Sequence, residues 1–241
     1  MKIISLVPSI TETLFDLGLS EIEIIGRTKF CIHPANRVKN VSVIGGTKNL
    51  NITKIKALKP DLIIANKEEN IKEDVEELQK YFKVLVTNVS NLEDNYYLLK
   101  TLGNLLGKQE IAQKFNLKIY EILAKFSYLE KKKCAYLIWK NPYMTVGFDT
   151  FIHDILDKIG FQNIFKDHKR YPEISVEDLK TADYIFLSSE PFPFQQKHID
   201  ELQKELPDAK IFLVDGEAFS WYGTRLAKCE SYFQNLVEKC Q

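Results

Sequence analysis

Cys31 and His33 stand one residue apart in the run RTKFCIHP (residues 27–34), so a thiolate sulfur and an imidazole nitrogen could reach one point. Such donors are soft to borderline and suit a transition metal. The competing reading is a hydrogen-bonded histidine beside a buried cysteine. Two other runs concentrate reactive or ring-bearing groups, residues 190–194 (EPFPF) and residues 215–222 (DGEAFSWY). Isolated candidates are Pro8, Ser9, Asn66, Trp139, Asn141, Tyr143, Met144 and Gly147. Rings, prolines and scattered polar groups in loops make a surface for a flat, partly apolar ligand. Pro8, Phe30, Trp139, Glu190 and Trp221 are taken as its contacts. The plainer alternative is that Phe192, Phe194, Phe219 and Trp221 pack beneath their own loops. Nothing in the chain matches G-x-S-x-G, H-E-x-x-H, a phosphate-binding loop or G-x-G-x-x-G, and no carboxylate pair stands out, so no enzyme is expected.

These candidates follow predicted strands. Apolar runs at residues 2–7, 22–26, 41–47, 61–65 and 83–88 read as strands, and so do residues 134–139, 184–188 and 211–214. Helical patterns lie between them. Ser9 and Glu12 have the spacing of a capping box, and the helix they open stops at Gly18. His153 falls within a predicted helix and is read as structural, while His168 and His198 are read as exposed. Alternating strands and helices imply parallel sheets covered on both faces, with ligands beyond the carboxyl ends of the strands. The pattern also occurs twice. Residues 10–18 resemble residues 152–160, and residues 53–64 resemble residues 175–186. A breaker-poor stripe over residues 109–131 predicts one helix of roughly 33 Å. The expected fold is therefore α/β, with two Rossmann-like lobes of mostly parallel sheet joined by one long rigid helix. Residues 1–107 form the N-terminal lobe, 108–131 the connecting helix and 132–241 the C-terminal lobe. A cleft between lobes is a favoured place for a small molecule.

Bulk properties narrow the function further. The 241 residues are 45% hydrophobic and 27% charged with net charge +0, which argues against nucleic-acid or membrane-surface binding. No window approaches the ~18 apolar residues needed to span a bilayer. The opening MKIISLVPSITETL lacks the long apolar region of a secretory signal, so the expectation is a cytoplasmic protein or an exported one without its targeting segment. Cys31, Cys134, Cys229 and Cys240 form no C-x-x-C pair and are expected to stay reduced, with Cys229 and Cys240 on a C-terminal helix over residues 223–239.

Four stretches carry a family resemblance: SLVPSITETLFDLGL, TKNLNITKIKALKPDLIIAN, GFDTFIHDILDKIGFQNIF with YPEISVEDL after it, and DGEAFSWYGTRL. In this order, and over nearly the whole chain, they resemble the cobalamin and ferric-siderophore receptors of ABC importers. The resemblance implies two α/β lobes on a rigid helix, a metal chelate in the inter-lobe cleft, and docking on a membrane permease through one acidic residue per lobe. By position, the ligand site would draw on His33, Asn66, Met144, Tyr171 and Glu217. Cobalamin receptors mostly place rings at the first four, and here only Tyr171 keeps one. Phe30, Trp139 and Trp221 are the rings available in their place, and His33 offers a nitrogen to a chelated metal. The docking position of the second lobe falls on Glu177. In the first lobe it falls on Lys72, with Glu73 adjacent. The implied protein is a monomeric, periplasmic or cell-surface receptor for a corrinoid or ferric siderophore, with no cofactor of its own. A cytoplasmic metal- or tetrapyrrole-handling enzyme or metallochaperone on the same fold is the alternative, followed by an interaction module without a ligand.

Overall fold

The computed structural model describes residues 1–240. The chain divides into two compact units. One comprises Met1–Val89, Asp94–Asn116 and Tyr222–Arg225, and the other comprises Ser90–Glu93, Leu117–Trp221 and residues 226 onward. The units are not consecutive segments, because four residues near the C-terminus belong to the first.

The first unit begins with β1 (Ile3–Ser5), α1 (Pro8–Asp16), β2 (Ile24–Arg27), α2 (Ala35–Val38) and β3 (Ser42–Val43). A small ribbon of β4 (Gly45–Gly46) and β5 (Asn49–Leu50) leads to α3 (Ile52–Leu58), β6 (Leu62–Asn66), α4 (Lys72–Gln79) and β7 (Val84–Thr87). Next come α5 (Leu92–Leu106) and α6 (Gln109–Ala124), whose sequences cross the division between the units. The sheet order is β3-β2-β1-β6-β7, all parallel. β1 and β6 are buried along their whole length, which is why they read as unbroken apolar runs rather than alternating ones. Ile4, Leu6, Ile44, Ile55, Ile63, Val75 and Leu78 fill one face of this core.

The second unit runs through β8 (Lys132–Leu137), β9 (Tyr143–Met144), α7 (Phe151–Lys158), β10 (Phe161–Asn163), β11 (Glu173–Ile174) and a 3-10 turn at Glu177–Thr181. β12 (Tyr184–Ser188), α8 (Gln196–Glu205), β13 (Lys210–Val214), α9 (Gly216–Ser220) and α10 (Glu230–Lys239) complete it. Its sheet is β10-β8-β12-β13, again parallel. This order repeats β2-β1-β6-β7 of the first unit strand for strand, with α1 matching α7 and α4 matching α8. The duplication read in the sequence is thus present in the topology. Among the described residues, no helix is long and apolar enough to cross a membrane.

Several local expectations are corrected. Ser9 and Glu12 do not form a capping box: Pro8 starts the helix, Val7 is its N-cap, and no side chain caps it. Proline suits that position because its missing N–H would be unsatisfied there anyway. Glu12 is buried at 3% exposure and pairs instead with Arg225, with Arg225 Nε 2.9 Å from Glu12 Oε2. The helix predicted over residues 109–131 ends at Ala124. Turns close beyond it through Lys125 N to Ile122 O and Phe126 N to Leu123 O, and they drop Phe126 into the core. The C-terminal helix is also shorter than predicted. Cys229 and Cys240 flank α10 as its N-cap and C-cap, and all four cysteines are free and buried. His198 is buried, not exposed. Its Nδ1 accepts the Gln195 backbone N–H at 2.8 Å, and its ring packs against Phe192 and Phe194.

Candidate functional site

Each sheet presents its loops at the carboxyl ends of its strands, and the candidate residues lie there. The peptides His33–Pro34, Asn141–Pro142 and Glu190–Pro191 in these loops are cis.

In the first unit the loop after β2 sorts its side chains by chemistry. Cys31 is fully buried: Thr11 Oγ1 donates to its sulfur at 3.0 Å, and Thr28 Oγ1 lies 3.2 Å away. Burial raises the Cys31 thiol above its ordinary range, against the opposing pull of these hydroxyls. A buried neutral thiol is a poor metal donor. The structure thus favours the plainer reading of Cys31, while His33 stays partly exposed. Phe30 faces outward at 49% exposure, with Lys29 Nζ 5.0 Å from its ring centroid and Gly46 behind it. Ile32, at 48%, is an exposed neighbour that the sequence reading passed over. Pro8 sits at the first turn of α1 and is partly buried.

Asn66 has a different role. Its Oδ1 accepts the backbone N–H groups of Glu68 (2.8 Å) and Glu69 (3.2 Å), and its Nδ2 donates to Thr87 Oγ1. Asn70 returns the contact, accepting Asn66 N–H at 2.9 Å and donating to the carbonyls of Leu6 and Thr47. With Asn66 at 3% exposure, this pair is the frame that ties together the ends of β1, β6 and the β4–β5 ribbon.

In the second unit, antiparallel pairing of β9 with β11 sets Met144 opposite Glu173. The ribbon continues through Thr145 N to Pro172 O and Gly147 N to Arg170 O. Trp139 bridges to Met144 and packs edge-on against Phe192 at 5.7 Å. Tyr171 lies on the same ribbon, with the Arg170 guanidinium 5.4 Å from its ring centroid. The structure thus places Trp139, Met144 and Tyr171 along one ribbon. Phe148, 45% exposed beside them, was missed by sequence reading. At Gly147 a Cβ would come within 2.3 Å of the His168 carbonyl oxygen, so only glycine lets the ribbon close.

Glu190, Glu217 and Trp221 gather at the ends of β12 and β13. Glu190 Oε1 accepts the Ser220 hydroxyl at 2.7 Å and the Trp221 indole N–H at 3.0 Å. Burial, helped by Glu217 and Asp215, raises the Glu190 carboxyl above its ordinary range. Trp221, Phe219 and Phe194 are all buried, so these three rings pack under their own loops. Residues 222–225 then lace into the first unit. Gly223 N donates to Asn95 Oδ1, Thr224 N donates to Thr13 Oγ1 at 3.1 Å, Thr224 Oγ1 donates to Asp16, and Arg225 meets Glu12.

Of the two acidic residues expected to dock, Glu73 is exposed in the first turn of α4, and Glu177 is exposed in the Glu177–Thr181 turn, 2.7 Å from Lys180. They do not occupy equivalent places in the repeat, since α4 follows β6 whereas that turn precedes β12. Among the described residues no group of three or more His, Cys, Asp or Glu side chains is placed to hold a metal.

A family profile described as periplasmic binding protein matches residues 3–209. The vitamin B12-binding protein of Vibrio vulnificus (strain CMCP6) is 27% identical over 195 residues, covering 78% of this chain and 71% of that protein. Among solved structures, the periplasmic vitamin B12-binding protein of Vibrio cholerae superposes with a TM-score of 0.79 at 19% identity, over 99% of this chain and 98% of that one. A periplasmic heme-binding protein from Roseiflexus sp. RS-1 reaches 0.83 at 18% identity, over 100% and 99% of the two chains.

Proposed function

Because the chain belongs to the periplasmic binding protein family, we propose that it is the substrate-binding protein of an ABC importer and captures a metal chelate. The observation that carries this reading is the 27% identity with a vitamin B12-binding protein over 195 residues. The ligand class is a corrinoid or a comparable chelate such as a ferric siderophore. Phe30, Trp139, Met144 and Tyr171 supply apolar contact from the strand-end loops, and Pro8, His33 and Glu217 supply the edges. Ring faces already exposed before binding cost little ordering when a flat ligand covers them. Asn66 acts behind this layer as a frame. The protein works outside the cytoplasmic membrane and hands its ligand to a permease, with Glu73 and Glu177 as the carboxylates that meet basic residues there.

Titration with cyanocobalamin, cobinamide, hemin and ferric siderophores tests the reading. Trp139 is the natural reporter, being 40% exposed against 7% for Trp221. Saturable quenching by one chelate class is the expected result. No response to any of them would remove the proposal. Reversing the charge of Glu177 should leave this binding intact and weaken assembly with the permease.

A further inference from the structure

The loops after β12 and β13 are held together by one carboxylate that is well hydrogen-bonded yet electrostatically disfavoured. The main chain at Glu190 is fixed from beneath: the Tyr136 hydroxyl donates to Ser188 Oγ at 3.1 Å, and Ser188 Oγ donates to the Glu190 carbonyl at 2.6 Å. The Glu190 side chain then holds the end of α9, accepting from Ser220 Oγ at 2.7 Å and Trp221 Nε1 at 3.0 Å. The start of α9 is tied to the same strand end, since Gly216 N donates to Ser189 Oγ at 2.8 Å. Contact there is so close that a Cβ on Gly216 would stand 2.5 Å from Glu190 Cγ. We propose that Glu190 is a positioning residue: its carboxylate holds α9 and the Trp221 ring in the arrangement that lets this lobe receive ligand, without contacting ligand itself. The functional half of this proposal rests on the substrate-binding reading above; the hold on Trp221 does not.

Ionised, Glu190 is an acceptor only, and both of its bonds are charge-assisted. Burial disfavours that state first, and the carboxylates of Glu217 and Asp215 on the α9 side add to it, while the Ser220 and Trp221 hydrogen bonds favour it; burial and the carboxylates win. The raised value fixes the signs. Folding stability from this group is greatest at low pH and falls as pH rises through the raised value, because ionisation then costs energy. The hold on Trp221 runs the other way, strong when the carboxylate is charged and weaker once it takes a proton. Both trends follow from a buried, hydrogen-bonded carboxylate alone, so lost affinity in a folded Glu190→Ala variant is what marks a positioning role.

The test follows the indole N–H signals of the two tryptophans by NMR, assigned with Trp139→Phe. In the otherwise unaltered protein, the Trp221 indole proton should shift with pH, with a midpoint above the ordinary glutamate value of 4.5, and stay flat in Glu190→Gln. Cyanocobalamin and hemin titrations at neutral pH supply the functional arm. For whichever probe binds, Glu190→Ala should lose about tenfold in affinity, and Glu190→Gln, which keeps an acceptor, should stay within about threefold. A flat Trp221 signal in the unaltered protein, or full affinity in Glu190→Ala, overturns the proposal. If the unaltered protein binds neither probe, cobinamide and ferric siderophores are titrated next; silence from all four removes the metal-chelate reading, and the indole titration alone then decides whether Glu190 positions Trp221.

Discussion

The loop after β2 turns Phe30 and Ile32 outward and draws Cys31 into the core, whereas residues 215–225 turn their rings inward and bury Phe219, Trp221 and Tyr222. Both segments are rich in rings and isolated polar groups. They differ in what the polar atoms can reach. Trp221 finds Glu190, and the Tyr222 hydroxyl is buried near Ser9 and Thr87, so each ring that carries a polar handle is satisfied inside. Phe30 has no such handle and gains only Gly46 and a lysine. An exposed ring without internal partners is the better mark of a binding surface, and a ring tied by its polar atom is the better mark of scaffold.

The contrast can be broken most severely at Arg225. Replacing it with alanine strands the buried Glu12 carboxylate, so about 3–5 kcal/mol of stability should disappear in a urea unfolding curve. Unchanged stability would mean that residues 222–225 are not scaffold. Gly223→Ala should cost about 1–3 kcal/mol, because its φ of 87° is left-handed and a Cβ there would meet Thr13 Oγ1. For Trp221→Phe, which removes the indole N–H held by Glu190 and shrinks the buried ring, thermal denaturation should reveal a loss of about 1–3 kcal/mol. Phe30→Ala sharpens the other side of the comparison. Its stability should move by no more than about 0.5 kcal/mol, while affinity for the bound chelate drops several-fold in a fluorescence titration. The smallest effect belongs to Cys31. Iodoacetamide at neutral pH should leave it unmodified in the native protein and label it only after unfolding, as read by peptide mass. Ready native labelling would place the thiol in the loop surface after all.

Much of the architecture could be read before any coordinates. The apolar runs of β1, β6 and β12 and of residues 134–139 announced central parallel strands, and the similarity of residues 10–18 to residues 152–160 announced the doubled topology. The chemistry of the candidate site was less legible. His33, Trp139 and Tyr171 fall in strand-end loops as expected and Met144 in the short strand β9, but nothing local distinguished Asn66, a frame residue, from a contact, or Trp221, a buried ring, from an exposed one. Ser9 and Glu12 mimicked a helix cap because the spacing was right, while the true partner of Glu12 lies at residue 225.

Strand and helix identity, their parallel order and the repeat were properties of the sequence itself, because apolar periodicity and glycine or proline stops act over a few neighbouring residues. Which loop rings face solvent was decided only by the folded chain. Glu190 meets Trp221 across 31 residues, Asn95 meets Gly223 across 128, and Thr13 meets Thr224 across 211. A polar atom is buried or exposed according to whether such a distant partner arrives to replace water, and no local pattern encodes that arrival.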